Sequence, residues 1–306
     1  MVATERDERR GLAGRATTRL VESIDVLLGD RLVVDKGVKP DYFTDGAPVD
    51  AFSILERCPR RLAHPAEDYV DSVMTARRRI GLMAMRHLVG SGRAGELSVA
   101  DAVGQVMSDP EYWPKNLRQW VEGLDRAGSA AVASAVITWC HGALRLVGRD
   151  ARIKWADPVM SPRWNVPGRV VQLRGSVDAT IGTVGSGEKL LLLGDGVPGA
   201  GDRLRAGYAA LLRSVMSAHA PVRVTIGSPA TGRRQAFDVG SELLDLATDR
   251  VVEVVSHRAT PEAAPPVPGR WCVHCHLLDV CEEGMEQVGR GVEHLGGDTV
   301  GNVAGA

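Results

Sequence analysis

Trp271-Cys-Val-His-Cys-His-Leu-Leu-Asp-Val-Cys281, near the end of the chain, is the stretch on which the architecture turns. It sets Cys272, Cys275 and Cys281 in a C-x2-C-x5-C spacing. Thiolates this close together suit a metal centre, which can take several sulfurs from one short turn of chain. A fourth ligand must then come from elsewhere. Cys58 is the natural source, in Ile54-Leu-Glu-Arg-Cys-Pro-Arg-Arg-Leu62, more than 200 residues upstream. It is expected at a helix end beside a proline, where backbone amides can hydrogen-bond sulfur. The competing arrangement leaves Cys58 as a lone core cysteine and closes a zinc tetrahedron with His274 or His276. By spacing alone, zinc and an iron–sulfur cluster fit equally well. The fifth cysteine, Cys140, lies in an apolar helical run and is expected as a buried thiol.

Working outward, the 306 residues are 44% hydrophobic and 25% charged with a net charge of −1, as in an ordinary soluble globular chain. The charged start, Met1 to Arg15, lacks the apolar stretch of a secretory signal. No apolar run is read as reaching the ~18 residues that span a bilayer. A cytoplasmic location and no membrane partner are therefore expected. In that compartment cysteines stay reduced, which favours metal over disulfides. Near-neutral charge argues against a histone-like nucleic-acid binder but leaves room for a local basic groove. Almost all the cations are Arg, which suits phosphate contacts but follows equally from high-GC codon usage.

The elements read as an α/β fold. Residues 1–50 form a lead-in: a helix with Leu20, Val21, Ile24, Val26 and Leu27 as its apolar face, then a short strand at 31–34. In 51–67, the first ligand segment, Ser53 caps a short helix that stops near Pro59. Residues 68–148 are helical, with Ser98 and Asp101 as a capping box and a break near Ala127 and Gly128. Within 149–260, the alternating run Arg169 to Gly182, a Gly-rich turn and four leucines signal a hairpin. An amphipathic helix carrying Leu204, Tyr208, Leu211, Leu212 and Val215 follows. Next come a strand (222–226), a turn (230–232) and a helix burying Leu243, Leu244, Ala247 and Val251. A Pro-rich linker leads into the cysteine segment, 261–285, and residues 286–306 are expected to be disordered.

The segment around Cys58 together with the late C-x2-C-x5-C resembles the iron–sulfur subgroup of the RecB-like PD-(D/E)XK nucleases. That subgroup includes the nuclease domain of AddAB-type helicase–nucleases and the CRISPR adaptation nucleases. The resemblance spans residues ~50 to 283. It implies a PD-(D/E)XK core, a mixed sheet flanked by helices with residues 68–148 inserted. It also implies a [4Fe–4S] cluster on Cys58, Cys272, Cys275 and Cys281 that clamps the two ends of the core, with zinc as the alternative metal.

In such nucleases, acids on adjacent strands hold Mg²⁺ or Mn²⁺, which activates a water and neutralises charge on the scissile phosphate. A lysine two residues after the second acid assists. An upstream G-x-x-x-H and a later Q-x-x-x-Y complete the site. Here Gly175-Ser-Val-Asp178 matches the first acid, and Asp195 is the candidate for the second, although it also reads as a turn aspartate. Val197, or Gly196 in the shifted alignment, stands where the lysine belongs. Met85 replaces the histidine after Gly81, and His87 would face ~200° away on the helix. Tyr208 is in place, while Leu204 replaces the glutamine.

The resemblance therefore implies a silent or weakened nuclease that binds DNA or a partner, such as a helicase, within a repair or defence assembly. An alternative is an active Mg²⁺- or Mn²⁺-dependent nuclease whose cation has migrated to Lys189, Arg203 or Arg205. A third reading is a zinc-clipped interaction module. Arg57, Arg60, Arg61 and Tyr208 are candidate DNA contacts, with the run Arg77 to Arg79 as a further basic stretch. Solvated helix faces are the commoner meaning of such runs.

Overall fold

Four consecutive leucines, Leu190 to Leu193, form the middle of a five-stranded sheet covered on both faces. The computed structural model describes residues 2–29, 48–64, 73–90, 97–109, 113–147, 153–155, 159–166, 169–194 and 196–296. Helices α1 (Val2–Gly29), α2 (Ala51–Leu55), α3 (Pro59–Ala63), α4 (Val73–Gly90), α5 (Val99–Ser108), α6 (Lys115–Glu122) and α7 (Arg126–Val147) come first. Strands β1 (Ile153–Trp155), β2 (Arg163–Val166), β3 (Arg169–Gln172), β4 (Ala179–Thr183) and β5 (Ser186–Leu193) follow. The chain continues through α8 (Asp202–Ser217), β6 (Arg223–Gly227), β7 (Arg234–Asp238), α9 (Ser241–Ala259) and α10 (Glu282–Gly296).

The main sheet runs β1-β4-β5-β6-β7, and β2 pairs with β3 separately. Only β5 and β6 are parallel; the other neighbours are antiparallel. A parallel pair needs a crossover, and α8 provides it. Of the expected hairpin, the half from Ala179 forms β4–β5, in register at Ala179–Leu191 and Thr180–Leu190, while Arg169–Gln172 of the same run pairs with β2 instead. Its turn uses Gly185 at φ 74°, a left-handed value that glycine adopts without steric cost. Along β5 the side chains alternate. Leu190 and Leu192 enter one core with Val224 and Ile226, while Leu191 and Leu193 enter another with Trp155 and Ala179. A strand buried on both faces reads as an unbroken apolar run.

The first core is closed by α1, α8 and α9. On α1 the buried stripe is Ala13, Ala16, Leu20, Ile24 and Leu28, the three-and-four spacing of one helix face. Val26, expected on that face, is 65% exposed. The second core takes Ile80 and Met85 from α4, Val103 from α5, Leu117 from α6 and Trp139 and Leu146 from α7. The helices expected as an insertion thus form the second layer on the sheet. By length and hydropathy α7 could cross a membrane, contrary to the sequence reading of apolar runs. In this fold its Val132, Val136, Trp139, Cys140, Ala143 and Leu146 face the second core.

Other expectations are corrected. Asp50 caps α2 by accepting the Ser53 N–H at 2.8 Å, so Ser53 is not the cap. The capping box of Ser98 and Asp101 is present at α5. Strand β7 was not anticipated, because its mostly exposed residues carry no apolar alternation. Residues 286–296, expected to be disordered, continue α10, whose first turn carries Glu282 and Glu283, where acids complement the helix dipole. The strand expected at 31–34 lies outside the described residues.

A Cβ on Gly142 would lie 2.1 Å from the Pro229 carbonyl oxygen, whereas one on Gly104 meets nothing within 4 Å. Gly142→Ala should lower the urea midpoint by ~1–3 kcal/mol of stability, and Gly104→Ala should raise it by up to ~1 kcal/mol. Burial pushes the Cys140 thiol up to about 12 from its usual 9.0. Iodoacetamide at pH 8 should leave Cys140 unlabelled in the native protein and label it in urea, because the thiolate is the nucleophile.

Candidate functional site

Cys58 is the last residue of the three-residue gap, Glu56 to Cys58, between two short helices. Glu56 turns extended at the end of α2, and Pro59 opens α3 at its first position, where its missing N–H costs nothing. One Glu56 carboxylate oxygen accepts the N–H groups of Arg57 (2.8 Å) and Cys58 (3.0 Å), and the other pairs with Arg61 at 3.0 Å. At the far end of the chain two 3₁₀ turns, Arg270–His274 and Leu278–Val280, present the late cysteines.

All four thiols line one cavity, walled also by Arg60, Arg61, Val267, Trp271, Leu277 and Leu278. Cys58, Cys272 and Cys281 are buried and Cys275 is half-buried. The Val267 N–H donates to Cys58 Sγ at 3.5 Å and the Gly269 N–H to Cys272 Sγ at 3.4 Å. Trp271 gives its indole N–H to the Val267 carbonyl at 3.1 Å and carries Arg57 over its ring at 5.6 Å. Neither His274 nor His276 lines the cavity, and His276 instead bonds the His64 carbonyl at 2.6 Å. An all-thiol donor set fits an iron–sulfur cluster or zinc. Among the described residues, no three His, Cys, Asp or Glu side chains are already arranged to hold a single metal ion.

The second centre lies where β4 and β5 meet. Asp178 is fully buried. One carboxylate oxygen accepts the Leu193 N–H at 2.6 Å, and the other pairs with Arg78 of α4. Arg205 of α8 donates to the Leu193 carbonyl at 3.3 Å and lies 3.9 Å from Asp202. Burial lowers the Arg205 pKa, Asp178 and Asp202 oppose that shift, and Arg78 adds to it. Both Asp178 oxygens are thus engaged, one by a backbone amide and one by a guanidinium.

The other positions named from the sequence are placed as follows. Asp195 lies outside the described residues. Met85 is buried in the second core, Leu204 packs partly against the first, and Val197 is exposed. Among the possible relocated cations, Arg205 is near enough to Asp178 for the carboxylate charge to act on it. Arg203 pairs with Glu242 at 2.5 Å. Lys189 stands four residues back from Leu193 on β5, roughly 13 Å along the strand. Tyr208 is buried, and its hydroxyl is within bonding reach of the Val49 carbonyl at 2.6 Å and the Arg174 carbonyl at 3.2 Å. Burial raises its pKa, and it is a packing residue here, not a surface for DNA. Arg57 is exposed, while Arg60 and Arg61 are half-buried near Glu283 and Glu56. The residue missed was Arg78. It precedes Met85 by two helical turns, so both project from one side of α4, and that spacing was the available signal.

No protein-family model and no curated protein matches the chain. The solved structure of SSO0001 resembles it at a TM-score of 0.35 and 13% identity, covering 88% of this chain and 96% of that one. A likeness so loose bears on neither fold nor function.

Arg78→Met should destabilise the protein by ~3–5 kcal/mol, because it leaves the Asp178 carboxylate buried without its counter-ion. The double change Asp178→Asn with Arg78→Met should recover much of that loss, since the buried carboxylate is removed together with its counter-ion. A double-mutant cycle from urea melts measures both. A loss in the double variant equal to the sum of the losses in Arg78→Met and Asp178→Asn alone would show that the pair is not coupled.

Proposed function

We propose that this chain is a RecB-like PD-(D/E)XK protein whose nuclease centre no longer cuts and whose ends are clamped by a [4Fe–4S] cluster. Its ligands would be Cys58, Cys272, Cys275 and Cys281. The observation that carries the reading is the convergence on one cavity of four thiols, one more than 200 residues from the rest. When bound there, the cluster supplies a covalent cross-link between the two ends of the core. By analogy with a long disulfide loop, a link over such a span stabilises by up to ~5 kcal/mol. Reduced thiols of this kind suit a cytoplasmic setting.

The expected frame also supports the reading. Asp178 stands at the start of one strand, the neighbouring strand ends beside it at Leu193, and Tyr208 follows on the crossover helix. Lysine, histidine and glutamine are absent from the expected positions, and Arg78 and the Leu193 amide take up the carboxylate of Asp178. Such a chain would hold DNA or a processing partner without hydrolysing the phosphodiester. Arg57, exposed beside Trp271, is the basic residue best placed for DNA at the cavity rim. The role would be that of a subunit in a repair or defence assembly, beside a helicase or similar enzyme.

A second reading, an active Mg²⁺- or Mn²⁺-dependent nuclease, draws on the proximity of Arg205 to Asp178. Anaerobic purification followed by iron, sulfide and zinc analysis tests the clamp. About four irons per chain are expected, lost in Cys58→Ser; a colourless protein holding one zinc would sink the cluster assignment. Labelled single- and double-stranded DNA with Mg²⁺ or Mn²⁺ tests the centre. Retention without cleavage is expected, and cleavage abolished by Asp178→Ala would establish the active reading instead.

A further inference from the structure

The cysteine cavity has two halves held in different ways. On the early side, α2 and α3 have five residues each, too few to offset the cost of nucleating a helix. Their terminal carbonyls need donors from outside, and two arginines of α9 supply them. Arg250 donates from Nε to the Ile54 carbonyl at 2.9 Å and from a terminal nitrogen to the Glu56 carbonyl. Arg258 donates from Nε to the Leu62 carbonyl at 3.2 Å and from a terminal nitrogen to Ser53 Oγ at 2.7 Å. These contacts bracket Cys58 on both sides, and none involves another cysteine.

Arg258 is 3% exposed. Burial lowers its pKa, and Asp50 is the first of the charges opposing that shift. A guanidinium this deep is costly unless its planar fork finds fixed acceptors, and it finds them on the segment that carries Cys58. On the late side the cysteines' own backbone bonds are local, with His276 adding one long-range bond to the His64 carbonyl at 2.6 Å. The Cys272, Cys275 and Cys281 amides reach back three residues to Gly269, Cys272 and Leu278, at 2.9, 3.0 and 3.2 Å. Val273 and Val280 are exposed and Cys275 is half-buried.

We infer that Arg250 and Arg258 are positioning residues that hold Cys58 in its binding place before any metal arrives. The site is then a preformed receptor with one fixed ligand and three on an adaptable turn segment. This inference rests on reading the cavity as a metal site. Its physical consequence concerns the cost of closure. The long loop between Cys58 and Cys272 is already closed at α9, so the metal orders only the short stretch from Arg258 to Cys272. Preorganisation of this kind strengthens binding by reducing what must be ordered on binding. The metal-free protein therefore stays folded and accepts metal late.

Thiol labelling of the chelator-treated, anaerobic full-length protein tests this, with mass spectrometry reading each cysteine and circular dichroism reading the fold. Cys275 should label first, and Cys58 roughly tenfold more slowly, a ratio matching the loss of one or two buried hydrogen bonds. In Arg258→Met or Arg250→Met, Cys58 should approach the rate of Cys275, and iron uptake on reconstitution should fall while helix content persists. Arg258→Lys, whose single ammonium lacks the fork, should fall between. Should the Met variants not fold, Ser53→Ala removes one acceptor and should give a smaller rise of the same sign. A Cys58 as reactive as Cys275 in the unaltered apo-protein, or indifferent to these substitutions, overturns the inference. Absence of any metal uptake with the labelling pattern intact would instead overturn the metal-site reading and leave the arginine positioning standing.

Discussion

Two helical layers can share one sheet only where a strand presents apolar side chains to both, and β5 does so through Leu190 to Leu193. Alternation sends two leucines each way, so α8 and α9 close one face while α4 and α7 close the other. The remaining arrangement depends on this strand. Leu193 gives its N–H to Asp178 and offers its carbonyl to Arg205. The end of the doubly buried strand is thereby the point where β4, α4 and α8 meet.

Arginine provides the second theme. Its abundance in the sequence decided nothing about nucleic acid, and the structure shows much of it turned inward to the main chain. Arg9 donates to the Val239 carbonyl at 2.7 Å, Arg234 to that of Leu146 at 3.4 Å, and Arg205, Arg250 and Arg258 cap strand and helix ends. Irregular segments between layers leave carbonyls without partners, and a long side chain with a fixed fork reaches them from a neighbouring helix. Arg78 meets a carboxylate in place of a carbonyl, that of the buried Asp178.

Much of this was legible in the residues. The doubly apolar run, the glycine-rich turn before it and the heptad-like faces of α8 and α9 each follow from local periodicity, and the structure places those elements as read. Strand β7 was not legible because an exposed edge carries no alternation, and the tail helix was missed because its glycines and charges resemble those of a linker. Arg78 escaped notice because its only local mark is the seven-residue spacing to Met85; the packing of α4 confirms which of three arginines faces the sheet.

What the sequence by itself determined is the helical first half, the two-sided central strand and the spacing of the three late thiols, because each is written along a few neighbouring residues. What only the tertiary structure decided is which distant groups meet: Cys58 with the late cysteines, Asp178 with Arg78, and the arginines of α9 with the carbonyls around Cys58. Those encounters depend on how whole layers stack, and stacking depends on the summed burial of many side chains, which no single motif records.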